Sequence, residues 1–425
     1  MKYLVIQKKD SKAVRVSKKR FNHKAKRKNK AYKNSDGYLN KIKKGKYYAL
    51  RKKSIVFTED IERFCNTNYN LTSRATRLVV KLNDDFTLFN NPAQVLLSLL
   101  NLLKHGKVLS QNPKVTYDGY VSFGAIYLID NLCWEIGKKR KWVVDFHKFP
   151  PEQVSILSKL RSIVSSHVED ENEYMINERV LINRSEDPTS NQAYKVKAKD
   201  ITDMVEKAIR ESSSDSSYQL PLEIHHAIKS AIGEQFDNIH LHATETSYGT
   251  LCGFYNKITQ EITILIYNFG KTIAETLSSP DTLPKEILNE ILDILRNHSA
   301  KKILNFTSAG EFTLENAVTL LALQEGISSR IKYDITRGHG LIDFIENCFD
   351  LSEDTKVAII SGKTAIKIDK KYRISNKNIF GRDRRIIALN SDNDLYKKPD
   401  PNYIRNTGVN FNGVIIETTI PLKIN

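Results

Sequence analysis

The stretch from Leu222 to Ala243, LEIHHAIKSAIGEQFDNIHLHA, constrains the fold more than any other part of the chain. Ile228, Ile232, Ile239 and Ala243 recur at helical spacing, and only Gly233 interrupts the pattern. The spacing predicts a helix with an apolar stripe against a core. Glu234, Asn238 and His242 stand at i, i+4 and i+8. At about 100° per residue they form a second stripe beside the first. A carboxylate, an amide and an imidazole are thereby lined up at the edge of a core. An amide oxygen suits a hard cation, and a carboxylate can take a proton from water, so the stripe is a candidate metal and phosphate site. A solvated face beside a buried one produces the same spacing.

Charge is segregated along the chain. The 425 residues carry a formal net charge of +17. Residues 1–54 hold 21 Lys and Arg against two acids, Asp10 and Asp36, while the rest of the chain holds 45 basic and 47 acidic side chains. The basicity therefore belongs to an N-terminal arm on a near-neutral body. Lys18, Lys19, Arg20, Lys24, Lys26, Arg27, Lys28 and Lys30 are interleaved with Phe21 and Tyr32, and Tyr38, Tyr47 and Tyr48 follow. Such a segment attracts phosphate backbones and can stack on unpaired bases, so RNA or DNA is a candidate partner, read with weak sequence preference. A solubilising or protein-docking tail has the same composition.

No run of about 18 apolar residues occurs, so no membrane partner is expected. The apolar start Tyr3–Ile6 is too short for a secretory signal. Cys65, Cys133, Cys252 and Cys348 form no CxxC pair and read as reduced thiols, which suits a cytoplasmic location.

Beyond residue 55 the pattern is α/β. Strands are expected at 77–82, 113–119 and 141–147, alternating with helices at 92–106, 121–139 and 152–167. Residues 168–200 have linker composition, and a connecting helix is expected at 201–212 before the flexible SSSDSS. After the Glu234 helix come a strand and turn at 261–273, a helix at 284–299, a segment at 313–330 that begins as another helix, and a Gly-rich turn opening a helix at 336–349. Strands are expected again at 356–369 and 413–422. GKT occurs at 270–272 and 362–364, but the Gly that a phosphate-binding P-loop needs five residues before the last Gly is Leu265 or Val357. Both are rejected as P-loops.

The order of motifs is the informative part: E-x-x-x-N-x-x-x-H on a helix, then NFGKTI, RGHGL, and FNGVIIETTIPL. It resembles the GHKL (Bergerat) superfamily of ATP-binding proteins, which includes gyrase B subunits, heat-shock 90 chaperones, histidine kinases and MutL. The nearest likeness is to bacterial proteins joining a STAS-like domain to a histidine-kinase-like ATPase domain. The resemblance covers roughly residues 73–425 and has no counterpart for the basic arm (1–54). It implies a STAS-like α/β regulatory domain (55–170), a linker with a connecting helix (171–219), and a two-layer α/β sandwich that binds ATP (220–425).

By that resemblance Glu234 is the general base, Asn238 holds Mg²⁺, and His242 supports them. Asn268 contacts the base, and Gly270 lets the backbone approach it. Arg337, Gly338, Gly340 and Leu341 belong to the phosphate-side helix start, with main-chain amides as anion donors. Residues 274–335 include the lid over the nucleotide. The sequence departs from the family at three positions: Asn268 stands for the usual Asp, Thr272 for the second Gly of that turn, and Val414 for the Thr that follows Gly in many relatives. The implied function is an ATP-binding regulatory protein, a slow Mg²⁺-dependent ATPase acting as a switch, with a protein effector or a nucleic acid as readout. The alternatives are a Ser/Thr kinase of the anti-sigma type acting on a STAS partner, and a nucleic-acid-binding scaffold with a degenerate ATPase fold.

Overall fold

The structure is a computed structural model that describes residues 58–71, 79–82, 85–108, 114–117, 120–140, 173–181, 248–256, 259–278, 285–299, 312–327, 340–379 and 381–422. It also describes the single positions 199, 203, 222, 225, 226 and 229. The fold is mixed α/β. Its centre is a five-stranded antiparallel sheet of β3 (Glu173–Leu181), β4 (Tyr248–Asn256), β5 (Glu261–Phe269), β9 (Ile404–Pro421) and β6 (Lys356–Ile368), in that spatial order.

Strand β5, EITILIYNF, explains the layering. It is apolar almost throughout rather than alternating, as expected for a strand covered on both faces. Leu265, Tyr267 and Phe269 enter one core cluster, and Ile262, Ile264 and Ile266 enter another. The first cluster lies under α1 (Glu59–Thr67), α2 (Pro92–Val108) and α3 (Phe123–Arg140). These supply Phe64, a Leu-rich face from Val95 to Leu103, and Phe123 to Ile136. The second cluster lies under α6 (Leu314–Leu321) and α7 (Gly340–Leu351), through Leu320, Phe344, Ile345 and Cys348. A third, smaller cluster joins α4 (Ile273–Leu277), α5 (Lys285–Ser299) and α6 to the hairpin of β7 (Ser375–Ile379) and β8 (Arg382–Ile386).

The N-terminal region and the sheet thus share one core. Strands β1 (Val79–Leu82) and β2 (Lys114–Tyr117) form a small parallel sheet with α2 between them in sequence, the strand–helix–strand alternation expected there. Helices α1 to α3 then close the far face of the central sheet, so that sheet carries helices on both sides rather than on one. Polar bonds fix this cover. The amide of Asn68, just after α1, donates to the Asn410 carbonyl and accepts from the Asn410 N–H, both at 2.8 Å. Arg405 of β9 donates to the Asn90 carbonyl just before α2.

Two elements differ from the sequence expectation, and the structure fixes the end of a third. Glu173–Leu181, expected as linker, is edge strand β3, paired with β4 from Glu173↔Asn256 to Leu181↔Tyr248. An edge strand needs only one neighbour's backbone and tolerates a polar sequence, which is why composition hid it. Helix α6, expected only to begin within 313–330, stops at Leu321, where the Ala322 N–H turns back to the Leu320 and Val318 carbonyls and the Gln324 side-chain amide donates to the Leu320 carbonyl. Strand β9 begins at Ile404, nine residues before the expected start, and two register shifts against β6 around Gly362 let it bend through its Asn- and Gly-rich first half.

All four cysteines are buried, and none is in a disulfide. Among the described residues no helix is long and apolar enough to cross a membrane. Of the helix expected at 222–243, Leu222, His225, His226 and Lys229 are described and helical.

Candidate functional site

Two of the singled-out segments meet at one end of the central sheet. Asn268 is the penultimate residue of β5, 3% exposed, and its register partners are Gly249 on β4 and Val414 on β9. Its side-chain Nδ2 donates to the Phe269 carbonyl at 3.2 Å. That bond consumes an amide hydrogen and orients the group, leaving Oδ1 as the acceptor side. Position 268 keeps the polarity of an Asp without its charge.

The chain then turns at Gly270, whose N–H donates to the Asn412 carbonyl at 3.1 Å. Phe269 pairs with Gly413. A Cβ at Gly413 would lie 2.0 Å from the Asn268 carbonyl oxygen and 2.8 Å from the Phe269 Cα, and its φ of +151° is glycine territory. NFG and FNG are therefore in backbone contact, and a glycine is required where they cross.

Thr272, the unexpected residue of this turn, is the N-cap of α4. Its Oγ1 accepts from the Glu275 N–H at 3.1 Å, and Glu275 Oε2 accepts from the Thr272 N–H at 2.8 Å. The reciprocal pair is a capping box. Thr313 and Asn316 repeat it at the start of α6. Asn316, fully buried, also donates to Thr364 Oγ1 at 3.1 Å, and the Ile273 N–H donates to Ser361 Oγ at 2.8 Å. Both helix starts are tied to the middle of β6. The two GKT segments consequently face one another, the first serving as a helix cap and the second running within β6, as the alternation of AIKID implied.

Between these helix starts lies a cavity of about 530 Å³, lined among others by Thr272, Glu275, Thr313, Glu315, Lys363 and Asn406. Glu315 Oε1 accepts from the Lys363 N–H at 2.8 Å. Burial raises the Glu315 pKa and nearby Glu275 raises it further, while Lys363 opposes them. Two helix N-termini would attract an anion, but a glutamate in each first turn already occupies that field. The cavity therefore favours a ligand with hydrogen-bond donors over a bare anion. Sequence reasoning missed Glu275, Glu315 and Lys363. The T-x-x-E spacing of Thr272 and Glu275 was the one local signal available for them.

Gly340 is the first residue of α7, and Leu341 packs against the second core cluster, so its side chain is a packing residue. Glu234, Asn238, His242, Arg337, Gly338 and the basic residues Lys18 to Lys30 lie outside the described residues. Among the described residues no three His, Cys, Asp or Glu side chains are placed to hold a metal ion. Comparison with protein-family models, curated proteins and solved structures found no match to this chain.

Proposed function

We propose that the chain is an ATP-binding regulatory protein: a slow Mg²⁺-dependent ATPase whose nucleotide state is read by a protein effector or, through the basic arm, by RNA or DNA. The observation that carries this reading is the meeting of NFG and FNG at the end of β5, with Asn268 paired to Val414 and the Gly270 N–H on the Asn412 carbonyl. On the base side the reading draws on two residues of this turn. Asn268 offers an oriented amide oxygen to an exocyclic amino group, and Gly270 leaves the backbone bare beside it. On the phosphate side the proposal assigns Asn238 to Mg²⁺, Glu234 to the attacking water, and Arg337, Gly338 and the amide of Gly340 to the phosphates. ATP supplies the phosphoanhydride whose hydrolysis resets the switch. The same proposal includes the GHKL assignment of residues 220–425 and the STAS-like assignment of residues 55–170, with the latter as the readout element.

The test is Mg²⁺-dependent ATP binding by calorimetry on the full chain, with phosphate release followed in parallel. Wild type binds, Asn238→Ala loses binding, and Glu234→Ala binds without turnover. Absence of binding by wild type at millimolar ATP overturns the proposal. Transfer of the γ-phosphate to a protein acceptor would replace it with the kinase reading.

A further inference from the structure

Strand β9 is held on both faces. Ile416 and Ile420 point into the α6–α7 layer, whereas Phe411 and Ile415 point into the α1–α3 layer. Glu417 lies on the second of these faces, with Leu265 of β5 and Ala358 of β6 as register partners. It is 3% exposed, an uncommon place for a carboxylate without a cation.

The carboxylate meets the open end of α3. Ser122 caps that helix: its Oγ accepts from the Ala125 N–H and its carbonyl accepts from the Ile126 N–H. The same hydroxyl donates to Glu417 Oε1 at 3.2 Å, and the Gly124 N–H is a second donor to the carboxylate. A Cβ at Gly124 would come within 2.0 Å of Oε1, so the helix end and the carboxylate are in direct contact. Phe123 stacks on Phe254 of β4 with ring centres 4.1 Å apart. These contacts fix one end of the 18-residue helix α3 to the sheet.

Both partners of Glu417 are neutral. Among the described residues, the titratable and charged groups on the surrounding elements include Tyr120 ahead of α3, the buried Tyr127, Asp130 and Cys133 of α3, the buried Cys252 of β4, Asp85 on the adjoining loop, Glu261 at the start of β5, and Lys356, exposed, two residues along β6 on the same face. Tyr120 is about half exposed, and its phenol is raised above the ordinary tyrosine value by partial burial, with Glu261, Glu417 and Asp85 contributing, so that group is uncharged at neutral pH.

We propose that Glu417 is a proton-operated latch: protonated, it seats α3 and the helical layer on the central sheet, and ionisation loosens that seat. Burial pushes its pKa up to about 7, against the pull of Ser122 and Gly124. A folded-state value above the ordinary carboxylate range means that the docked layer binds the proton more tightly than the undocked one. Docking is therefore firmest at acidic pH, weakens as pH rises towards about 7, and is flat beyond it. The inference is independent of nucleotide binding.

The test is amide hydrogen exchange of residues 123–140 in the full chain, expressed as protection factors so that intrinsic exchange cancels. Between pH 6 and pH 8 wild type loses protection by about tenfold, the linkage expected for a carboxyl group titrating in that window. Glu417→Gln, which stays neutral, loses none. Equal losses in both proteins overturn the latch. A ¹³C carboxyl titration of Glu417 in wild type serves as a second measurement should the variant fold poorly. A midpoint near neutrality supports the latch, and one in the ordinary carboxylate range overturns it.

Discussion

Asn268 and Val414 face each other across the β5–β9 ladder. Two of the three positions at which the sequence departs from the GHKL pattern are therefore one place in the fold. A family member with Asp and Thr there would present two polar groups side by side. This chain presents one amide, with one of its two hydrogens spent on the Phe269 carbonyl, next to an aliphatic side chain. Under the proposed function Asn268→Ala removes the acceptor and weakens ATP binding by about 1 kcal/mol, or roughly five- to tenfold, the usual net worth of one hydrogen bond. Calorimetry measures this directly, and unchanged affinity would take Asn268 out of the site. Asn268→Asp is expected to lower the thermal midpoint without ligand, because it buries a charge and gives up the bond to Phe269.

The crossing of NFG and FNG has a stability consequence that does not depend on function. Gly413→Ala drives a methyl group into the Asn268 carbonyl at a φ of +151°. The obstacle is backbone in a doubly covered sheet, so relaxation is limited, and the expected loss is about 3 kcal/mol or more. Denaturant titration measures it. A loss under about 1 kcal/mol would mean that the two segments do not pack as described.

Arg385 of β8 bridges three carboxylates: Glu325 after α6 at 3.1 Å, Asp343 of α7 at 2.7 Å, and Glu346 one turn further along α7. It ties the start of α7 to the hairpin. Arg385→Met leaves three like charges facing one another, while its thioether chain preserves most of the packing. All four groups are partly exposed, so solvent screening limits the cost to about 1 kcal/mol at low salt. The loss should narrow as ionic strength rises, because repulsion between accessible charges is what remains. Urea midpoints at low and high salt test both parts, and a loss unaffected by salt would assign Arg385 a packing role only.

How much of this was legible in the sequence depended on the range of the interaction. Strand β5 was legible because EITILIYNF carries its own signal, and the ends of α5 and α7 followed from local pattern within a residue or two. Strand β3 was not, because its place depends on pairing with β4 across roughly seventy residues of chain rather than on apolar content. The covering of the sheet by α1 to α3 was also illegible. The apolar stripe of a helix states that something covers it but not what. The Glu417–Ser122 contact spans 295 residues, and a lone glutamate in VIIETTIP reads as an ordinary strand position. Thr272 was legible as a departure from a family pattern. Its role as a cap emerged only with the start of α4.

The basic arm admits a test that separates it from the body. If residues 1–54 carry the affinity for RNA or DNA, retention of the full chain on a single-stranded oligonucleotide falls steeply with salt. Each phosphate contact contributes roughly 0.7 to the slope of log affinity against log salt. With 21 basic residues in the arm and a body that is near neutral, removing the arm should abolish retention rather than reduce it in proportion. Weak preference among oligonucleotides of equal length is expected as well, since charge and aromatic stacking read backbone and π-face rather than base edges. Fluorescence anisotropy at several salt concentrations, on the full chain and on residues 55–425, gives both numbers. Equal binding by the two proteins would move the contact to the body. The exposed Lys377 and Arg382 on the β7–β8 hairpin are the first positions to probe there.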